Sequence, residues 1–376
     1  MKSLGLYIHI PFCVKKCHYC DFYSVCHTDK QEREYISALC NHMKNEAHLY
    51  KDYEIDTIFL GGGTPSVLSG DSILQIADTV KSCFNLHSSP EFTIEANPGT
   101  LSEEKLLAYK CAGINRLSIG LQSASDKELC TLGRIHSLDE FAQGYSLARK
   151  CGFDNISVDV MYGLPDQAID NFAKTLDHVC DFSPEHISAY CLKIEENTRF
   201  GKVKDTLSLP SDEEEYLMYM LLCQKLKEHG YEQYEISNFA KQGYHSRHNM
   251  KYWQSHEYVG FGPAAHSYFD GLRYSYSRDI DKYIECPTKE YDTENSEESV
   301  AKIDQMDEFV MLKLRLSEGV CEKEFYEKFK SAFTEEYPLV ERFINSGHMV
   351  YENGRYHMNS SGFFVSNYIL TEILHF

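Results

Sequence analysis

The sequence predicts an α/β protein: an open (β/α)6 partial barrel followed by a smaller α+β module of winged-helix-like form. Three observations carry that prediction. Six strand-like segments alternate with helix-like ones between Leu4 and Gly230, the pattern of parallel strands joined by crossover helices. The glycine-rich and unusual polar motifs fall at the predicted C-terminal strand ends, where parallel barrels carry their chemistry. Beyond Asp304 the pattern changes to helices, a hairpin and a closing helix. Six units are too few for a closed eight-unit barrel, so the sheet is expected to be curved and open.

Each element has a local reason. Leu4–Ile10 places Leu4, Leu6, Ile8 and Ile10 on one face, as a strand does. Lys30–Tyr50 reads as a long helix. Ile55–Leu60 is a second strand ending in Gly61-Gly62-Gly63-Thr64-Pro65, with a helix over Asp71–Phe84. Phe92–Glu95 is a third strand, stopped by Asn97-Pro98-Gly99. Thr100 and Glu103 have the spacing of a capping box for the next helix. Arg116–Leu121 and Leu138–Cys151 form the fourth unit. Ile156–Met161 and a helix reaching Cys180 form the fifth, and His186–Leu192 is the sixth strand. Its helix starts at Ser211, with Glu214 completing a capping box, and stops at Gly230.

Tyr231–Tyr276 is rich in Tyr, His and Gly without periodicity and is expected to be long loops packed over a site. Thr288–Ser299 is acidic and reads as an exposed linker. Helices are expected at Asp304–Leu316, Glu322–Lys330, Glu335–Asn345 and Ser361–Leu374. Met349–Met358 is a hairpin whose Asn353-Gly354 suits a type I′ turn. The expected domains are residues 1–235 for the barrel, 236–300 for an aromatic and His-rich connection, and 301–376 for the terminal module.

The 376 residues are 43% hydrophobic and 25% charged, as in a globular enzyme-sized protein. A net charge of −20 argues against a nucleic-acid partner, which needs clustered Lys and Arg. The terminal module tempts a DNA-binding reading, but Asp304–Phe376 holds 12 acidic against 7 basic residues. Fourteen scattered cysteines, with no signal peptide ahead of them and no apolar run long enough to span a bilayer, predict a reducing compartment, by default the cytoplasm.

The chemistry concentrates after the first strand, where Cys13, Cys17 and Cys20 have C-x3-C-x2-C spacing. Four thiolates close a [4Fe–4S] cluster, so three leave one iron open to a substrate or cofactor. A zinc knuckle and plain buried thiols are the competing readings; His9 and His18 are near enough to serve zinc. Tyr19 would set an aromatic ring beside the cysteines. Gly62, Gly63 and Thr64 would let the backbone approach a ligand and offer it unpaired N–H and C=O groups. Glu95, Gln122 and Asp159 lie on or at the ends of successive strands, and Arg134 follows the fourth. Together they describe a pocket for a zwitterionic nucleoside. His245, His248, His256 and His266 gather after the barrel, around His248-Asn249-Met250-Lys251-Tyr252-Trp253, which contains the single tryptophan. Imidazole is a common axial ligand of haem iron, and packing through ordinary hydrogen bonds is the alternative.

These motifs resemble those of the HemN/HemW family of radical S-adenosylmethionine (SAM) proteins. The resemblance rests on Tyr7-Ile-His-Ile-Pro-Phe-Cys-x3-Cys-x-Tyr-Cys-Asp-Phe22, Gly61-Gly-Gly-Thr-Pro-Ser66, Gly113-Ile-Asn-Arg-Leu-Ser-Ile-Gly-Leu-Gln-Ser123, Asp159-Val-Met-Tyr-Gly-Leu-Pro165, Tyr234-Glu-Ile-Ser-Asn-Phe-Ala240 and Gly260-Phe-Gly-Pro-Ala-Ala-His-Ser-Tyr268. It implies a radical SAM barrel with a HemN-type C-terminal domain. It also implies that Cys13, Cys17 and Cys20 hold a [4Fe–4S] cluster and that SAM completes the open iron. Tyr7, Tyr19, Asp21, Gly62, Gly63, Thr64, Glu95, Gln122, Arg134 and Asp159 fall where the family contacts SAM.

Two activities occur in the family: haem chaperoning with delivery to an acceptor haemoprotein, and oxygen-independent dehydrogenation of coproporphyrinogen III. The chaperone branch is favoured by three features. The first cysteine comes early, Phe22 stands where the dehydrogenases have a fourth cysteine, and His248-Asn249-x-x-Tyr252-Trp253 matches that branch's haem-associated signature. Haem or a porphyrinogen is therefore the expected cargo or substrate, with His248 as a haem-site residue. Flavodoxin or ferredoxin is the expected low-potential electron donor wherever SAM is cleaved.

Overall fold

The computed structural model describes residues 1–26, 28–291 and 302–375. The six expected βα units are present. They are β1 (Lys2–Ile10) with α1 (Asp29–Glu46), β2 (Tyr53–Gly62) with α2 (Gly70–Cys83), and β3 (Leu86–Ala96) with α3 (Glu103–Ala112). The fourth unit is β4 (Arg116–Gln122) with two helices, α4 (Asp126–Leu132) and α5 (Leu138–Lys150). The last two are β5 (Ile156–Tyr162) with α6 (Ile169–Phe182) and β6 (His186–Cys191) with α7 (Asp212–Glu228). The strands are neighbours in chain order, and every pairing from β1 to β6 is parallel.

A sheet covered on its outer face by helices needs apolar residues there, and the sequence supplies them. Leu4, Leu6, Ile8 and Ile10 of β1 are wholly buried. Ile73, Ile76, Ala77 and Val80 of α2 recur at helical spacing and are buried as well. The other face of each strand points into the barrel. There Tyr7, Phe59, Glu95, Ser118, Asp159 and Tyr190 surround interior space, since strand side chains alternate.

Three local expectations need correction. The capping residue of α3 is Ser102, whose hydroxyl accepts from Lys105 N. Thr100 is occupied elsewhere: its hydroxyl donates to the Asn97 carbonyl and meets Ser66 Oγ at 2.6 Å. The third strand is far longer than Phe92–Glu95, and α4 was not foreseen, although Ser125 and Glu128 carry a capping signature that could have revealed it.

The largest departure follows Gly230. Instead of long loops, the chain forms β7 (Glu232–Gln233), β8 (Asn238–Ala240), α8 (Arg247–Trp253), β9 (Tyr258–Phe261), β10 (His266–Phe269), β11 (Leu272–Tyr276), α9 (Ile280–Glu285) and β12 (Lys289–Tyr291). The strands extend both edges of the barrel sheet into one of twelve, ordered β12-β11-β10-β9-β1-β2-β3-β4-β5-β6-β8-β7. β9 runs parallel to β1, whereas β8 is antiparallel to β6. Two to five residues are too few to display alternation; hydrogen bonding to exposed sheet edges makes them strands. The expected linker at Thr288–Ser299 begins in β12, and its remainder lies outside the described residues.

The C-terminal module contains α10 (Lys302–Lys313), β13 (Val320–Cys321), α11 (Glu322–Phe329), α12 (Phe333–Glu336), α13 (Val340–Asn345), β14 (Met349–Glu352), β15 (Arg355–Met358), α14 (Ser360–Phe364) and α15 (Ser366–Ile373). Pro338 separates α12 from α13 where one helix was expected. Asn353 and Gly354 both have positive φ, as a type I′ turn requires. Strand-like bonding ties the module to the barrel: Ile236 N donates to Arg315 O at 3.0 Å and Ser317 N to Tyr234 O at 3.0 Å. Among the described residues no helix is long and apolar enough to cross a membrane.

Candidate functional site

The cysteine loop leaves the C-terminal end of β1 and is fixed along its length. Cys13 N donates to Val25 O at 3.0 Å, and Val25 N to Pro11 O at 2.7 Å. His18 N donates to Leu132 O at 2.9 Å, and Phe200 N to His18 O at 2.8 Å. The end of α4 therefore holds the loop from one side and the segment after β6 from the other. Gly133 is required at that junction, because its φ is +75° and a Cβ would lie 2.7 Å from the His18 ring. Tyr19 packs against a small cluster of Leu132, Met161, Leu164, Leu192 and Phe200. The three cysteines remain half-buried and face a cavity of about 350 Å³.

The Gly61-Gly62-Gly63-Thr64-Pro65 turn contributes in a different way from the one expected. Its N–H groups are not left for a ligand. Gly62 N donates to Glu95 Oε2 at 3.0 Å. Gly63 N donates to Ile10 O, and Thr64 N to Phe12 O, each at 2.8 Å. The turn thus docks the start of the cysteine loop, and Thr64 Oγ1 lies 3.4 Å from Cys13 Sγ. A Cβ on Gly63 would stand 2.7 Å from Phe12 O and 2.8 Å from Ile10 O. Only glycine permits that approach.

Polar groups from successive strands enter the same cavity. Glu95 lies deep in the barrel, and burial, with nearby Asp159 adding to it, raises its carboxyl to about 8. Burial likewise raises Asp159, whose oxygens accept from Ser118 Oγ at 3.1 and 3.3 Å. Gln122 sits at a bulge in β4 with φ of 71°. Arg134 donates from Nη2 to Gly120 O at 2.7 Å and from Nη1 toward Cys17 Sγ at 3.6 Å, while its buried Nε has no partner. Cys13, Cys17, Cys20, Tyr19, Gly62, Gly63, Thr64, Glu95, Gln122, Arg134 and Asp159 line this one cavity. Sequence reasoning missed Ser118, Met161 and Tyr190, which also line it. Ser118 lies two residues before Gly120, so period-two counting from the strand end was the available signal.

Tyr7 and Asp21 lie elsewhere. Tyr7 donates its OH to, or accepts from, His9 Nδ1 at 3.0 Å and lines two neighbouring cavities of about 220 and 710 Å³. Asp21 is exposed and lines only the larger of those two.

The donor set fits an iron–sulfur cluster and SAM. Among the described residues no three His, Cys, Asp or Glu converge on one metal ion. A cubane needs no such convergence, since each thiolate meets a separate iron. Arg134, whose Nη1 points toward the Cys17 thiol, supplies a fixed positive charge, and the two deep carboxyls, raised by burial, supply oxygen hydrogen-bonding groups for the polar end of a zwitterion. The zinc reading loses ground because His9 has both ring nitrogens engaged, by Tyr7 OH and by Tyr23 O at 3.0 Å, and His18 is held by Thr131 O and Arg199.

His248 is placed as a strut. It lies in the first turn of α8 and is buried to 1% exposure. Its Nδ1 is 2.9 Å from Thr57 Oγ1, its Nε2 is 2.8 Å from Tyr252 OH, and its ring stacks on Phe59. Burial lowers its pKa to about 3, so the ring is neutral. Glu91 accepts the Arg247 and His248 N–H groups, each at 3.0 Å, and Lys251 pairs with Asp56 at 2.8 Å. The His248-Asn249-x-x-Tyr252-Trp253 segment is therefore bolted to β2 and β3 at the floor of the barrel. Iron could reach His248 only after one of two hydrogen bonds broke. His245 stacks on Tyr234, and His256 and His266 lie at separate places on the surface.

Comparison with known proteins agrees with the geometry. Residues 7–179 match the model of the Radical SAM superfamily, and residues 300–365 that of the HemN C-terminal domain. The chain is 38% identical over 343 residues to the Heme chaperone HemW of Bacillus subtilis (strain 168), covering 90% of each protein. It is 38% identical over 333 residues to the Heme chaperone HemW of Escherichia coli (strain K12), covering 86% of each. Among solved structures, the radical SAM coproporphyrinogen III oxidase HemN from Escherichia coli matches with a TM-score of 0.83 at 19% identity, covering 98% of this chain and 89% of that one. That last likeness establishes a shared fold.

Proposed function

Since the chain belongs to the HemW family of radical SAM proteins, we propose that it is a haem chaperone, which binds haem and delivers it to an acceptor haemoprotein. The observation that carries this reading is the 38% identity, spread over 90% of both chains, to a protein named Heme chaperone HemW. The cysteine loop agrees with it, ending in Phe22 in place of the fourth cysteine of the dehydrogenases. Oxidative decarboxylation of coproporphyrinogen III is the second reading, and the fold shared with HemN is compatible with it but does not select it.

The protein uses a [4Fe–4S] cluster and SAM. Cys13, Cys17 and Cys20 would hold three irons. Gly62, Gly63, Thr64, Glu95, Gln122, Arg134 and Asp159 would surround SAM, with Tyr19 against the cluster loop. When bound, the reduced cluster supplies one-electron chemistry to SAM at its open iron. The chain's own residues do the rest. Glu95 and Asp159 offer oxygen acceptors deep in the barrel, and Arg134 sets a fixed positive charge between Cys17 and Gly120. The glycine turn fixes the distance between cluster loop and SAM pocket. Tyr7 and Asp21 would act from the adjoining cavities.

The functional segments are taken as residues 1–235 for the cofactor core, 236–300 for the connection and 301–376 for the HemN-type domain. A flavodoxin or ferredoxin would reduce the cluster, and fourteen cysteines without a disulfide suit the cytoplasm. The test is to give anaerobic, reconstituted protein SAM, reductant and coproporphyrinogen III, and separately to load it with haem and offer an apo-haemoprotein. Haem transfer without protoporphyrinogen formation is expected. Protoporphyrinogen formation would overturn the chaperone assignment.

A further inference from the structure

We propose that the cavity of about 220 Å³ inside the barrel is a carboxylate pocket, in which Arg116 anchors a propionate arm of the haem that the protein carries. The proposal rests on the haem-carrying reading above and adds a residue and a place to it. Arg116 is the first residue of β4 and is 2% exposed. Strand alternation puts it on the same inner face as Ser118, and both line this cavity. Its Nε is buried without a partner, and among the described residues its side chain makes no hydrogen bond or ion pair. Arg134 also has an unpartnered Nε, but its two Nη atoms reach Gly120 O and Cys17 Sγ.

A buried charge is costly unless it is paired, and arginine does not shed its proton. The acidic groups around Arg116 are engaged or neutral. Glu91 accepts the Arg247 and His248 N–H groups. Asp159 accepts from Ser118 Oγ, and its attraction to Arg116 acts without a direct contact. Glu95, raised to about 8, keeps its proton at neutral pH. Burial and the Arg116 charge together disfavour protonation of His186 and His248. The remaining neighbours can donate. Thr93, the register partner of Arg116 on β3, has a buried hydroxyl without a partner, and Ser188, Tyr190 and Asn249 line the cavity. A guanidinium ringed by hydroxyl and amide groups is a site for an anion, and its planar fork matches a carboxylate.

Size and surroundings select the carboxylate. A volume of about 220 Å³ lies below the range that encloses a whole small molecule, so the pocket takes the end of a ligand whose body lies beside it. On the cofactor side, the shared wall carries the carboxyls of Glu95 and Asp159, which disfavour passage of another carboxylate. On the other side, the pocket shares Tyr7, Phe22 and Tyr252, all uncharged, with the cavity of about 710 Å³. Aromatic side chains there suit a flat ring. A macrocycle in the larger cavity would point a short alkyl carboxylate past Tyr7 and Tyr252 toward Arg116. The carboxylate of SAM is the other source of the same chemistry, and it would have to come from the acidic side.

The test compares haemin with haemin dimethyl ester, whose propionates are blocked, in Soret-band titrations of the full-length, cluster-loaded protein. Wild type should bind haemin about tenfold or more tighter than the ester. Arg116→Gln should bind haemin about tenfold more weakly and the ester within about twofold of wild type, since the two changes remove one interaction. Arg116→Met should behave alike; melting curves identify a misfolded variant, and the folded one then decides. Equilibrium dialysis should give the folded variants wild-type affinity for SAM. Equal binding of haemin and ester by wild type, or equal weakening of both by a folded variant, would overturn the pocket while leaving the chaperone reading intact. A variant that loses SAM and keeps haemin would assign the carboxylate to SAM and overturn the proposal. Failure of the wild-type protein to bind haemin would overturn both.

Discussion

Replacing Gly63 by alanine should dislodge the cysteine loop. The added Cβ would lie 2.7 Å from Phe12 O, 2.8 Å from Ile10 O and 3.0 Å from Phe12 N, where ordinary contact begins near 3.4 Å. All three are backbone atoms, so no side chain can swing aside. The turn and the loop must separate by about 0.7 Å at the tightest contact. That motion strains or breaks the two 2.8 Å bonds from Gly63 N to Ile10 O and from Thr64 N to Phe12 O. Losing two such bonds costs about 2 kcal/mol, and overpacking adds about 1–3 kcal/mol, so the apo protein should lose about 3–5 kcal/mol. Cys13 follows Phe12 directly, so cluster uptake should fall with stability. Urea denaturation of the apo protein and iron content after anaerobic reconstitution measure the two effects. A Gly63→Ala protein within about 0.5 kcal/mol of wild type, with full iron content, would refute the reasoning.

Further predictions concern the same cavity. Burial holds the Glu95 carboxyl near 8, well above its ordinary range, so the native state binds the extra proton across the interval between them. Stability should therefore fall as pH rises from about 5 to 8, and Glu95→Gln should flatten that part of the melting-temperature profile. Cys13→Ala, Cys17→Ala and Cys20→Ala should each abolish the brown chromophore, whereas Cys26→Ala, an exposed thiol beside Val14 O, should keep it on iron analysis. Arg134→Lys cannot span Gly120 O and Cys17 Sγ with one planar fork; SAM affinity should drop by about tenfold in equilibrium dialysis, with the fold unchanged.

The barrel was legible because apolar residues recur on one face of each strand, as Leu117, Ile119 and Leu121 do in β4, all wholly buried against the helices. The site was legible because cysteine spacing and strand-end glycines are local signals that survive without coordinates. What failed was context. Thr100 had the right spacing for a cap, but its hydroxyl was already engaged by Asn97 and Ser66. The glycine turn announced close approach correctly, yet its N–H groups serve the neighbouring loop, a pairing that sequence cannot display. Strands β7 to β12 owe their existence to sheet edges formed far away in the chain, so no window of their own sequence could reveal them.

His248 marks the limit most sharply. Its motif stood out, but a motif records that residues are needed together, not what they touch. Here Thr57, Tyr252 and Glu91 hold His248, and Ser3 and Asp56 hold Lys251, by internal bonding, with the helix acting as a plug in the barrel floor. Removing His248 would leave Thr57 and Tyr252 buried without their shared partner, so reduced haem content in such a variant would follow from a loosened barrel as readily as from lost ligation. Tyr252 also lines the cavity that contains His266, and Phe22 lines all three cavities. Phe22, two residues beyond Cys20, is thus a wall shared by all three cavities around the cysteine loop.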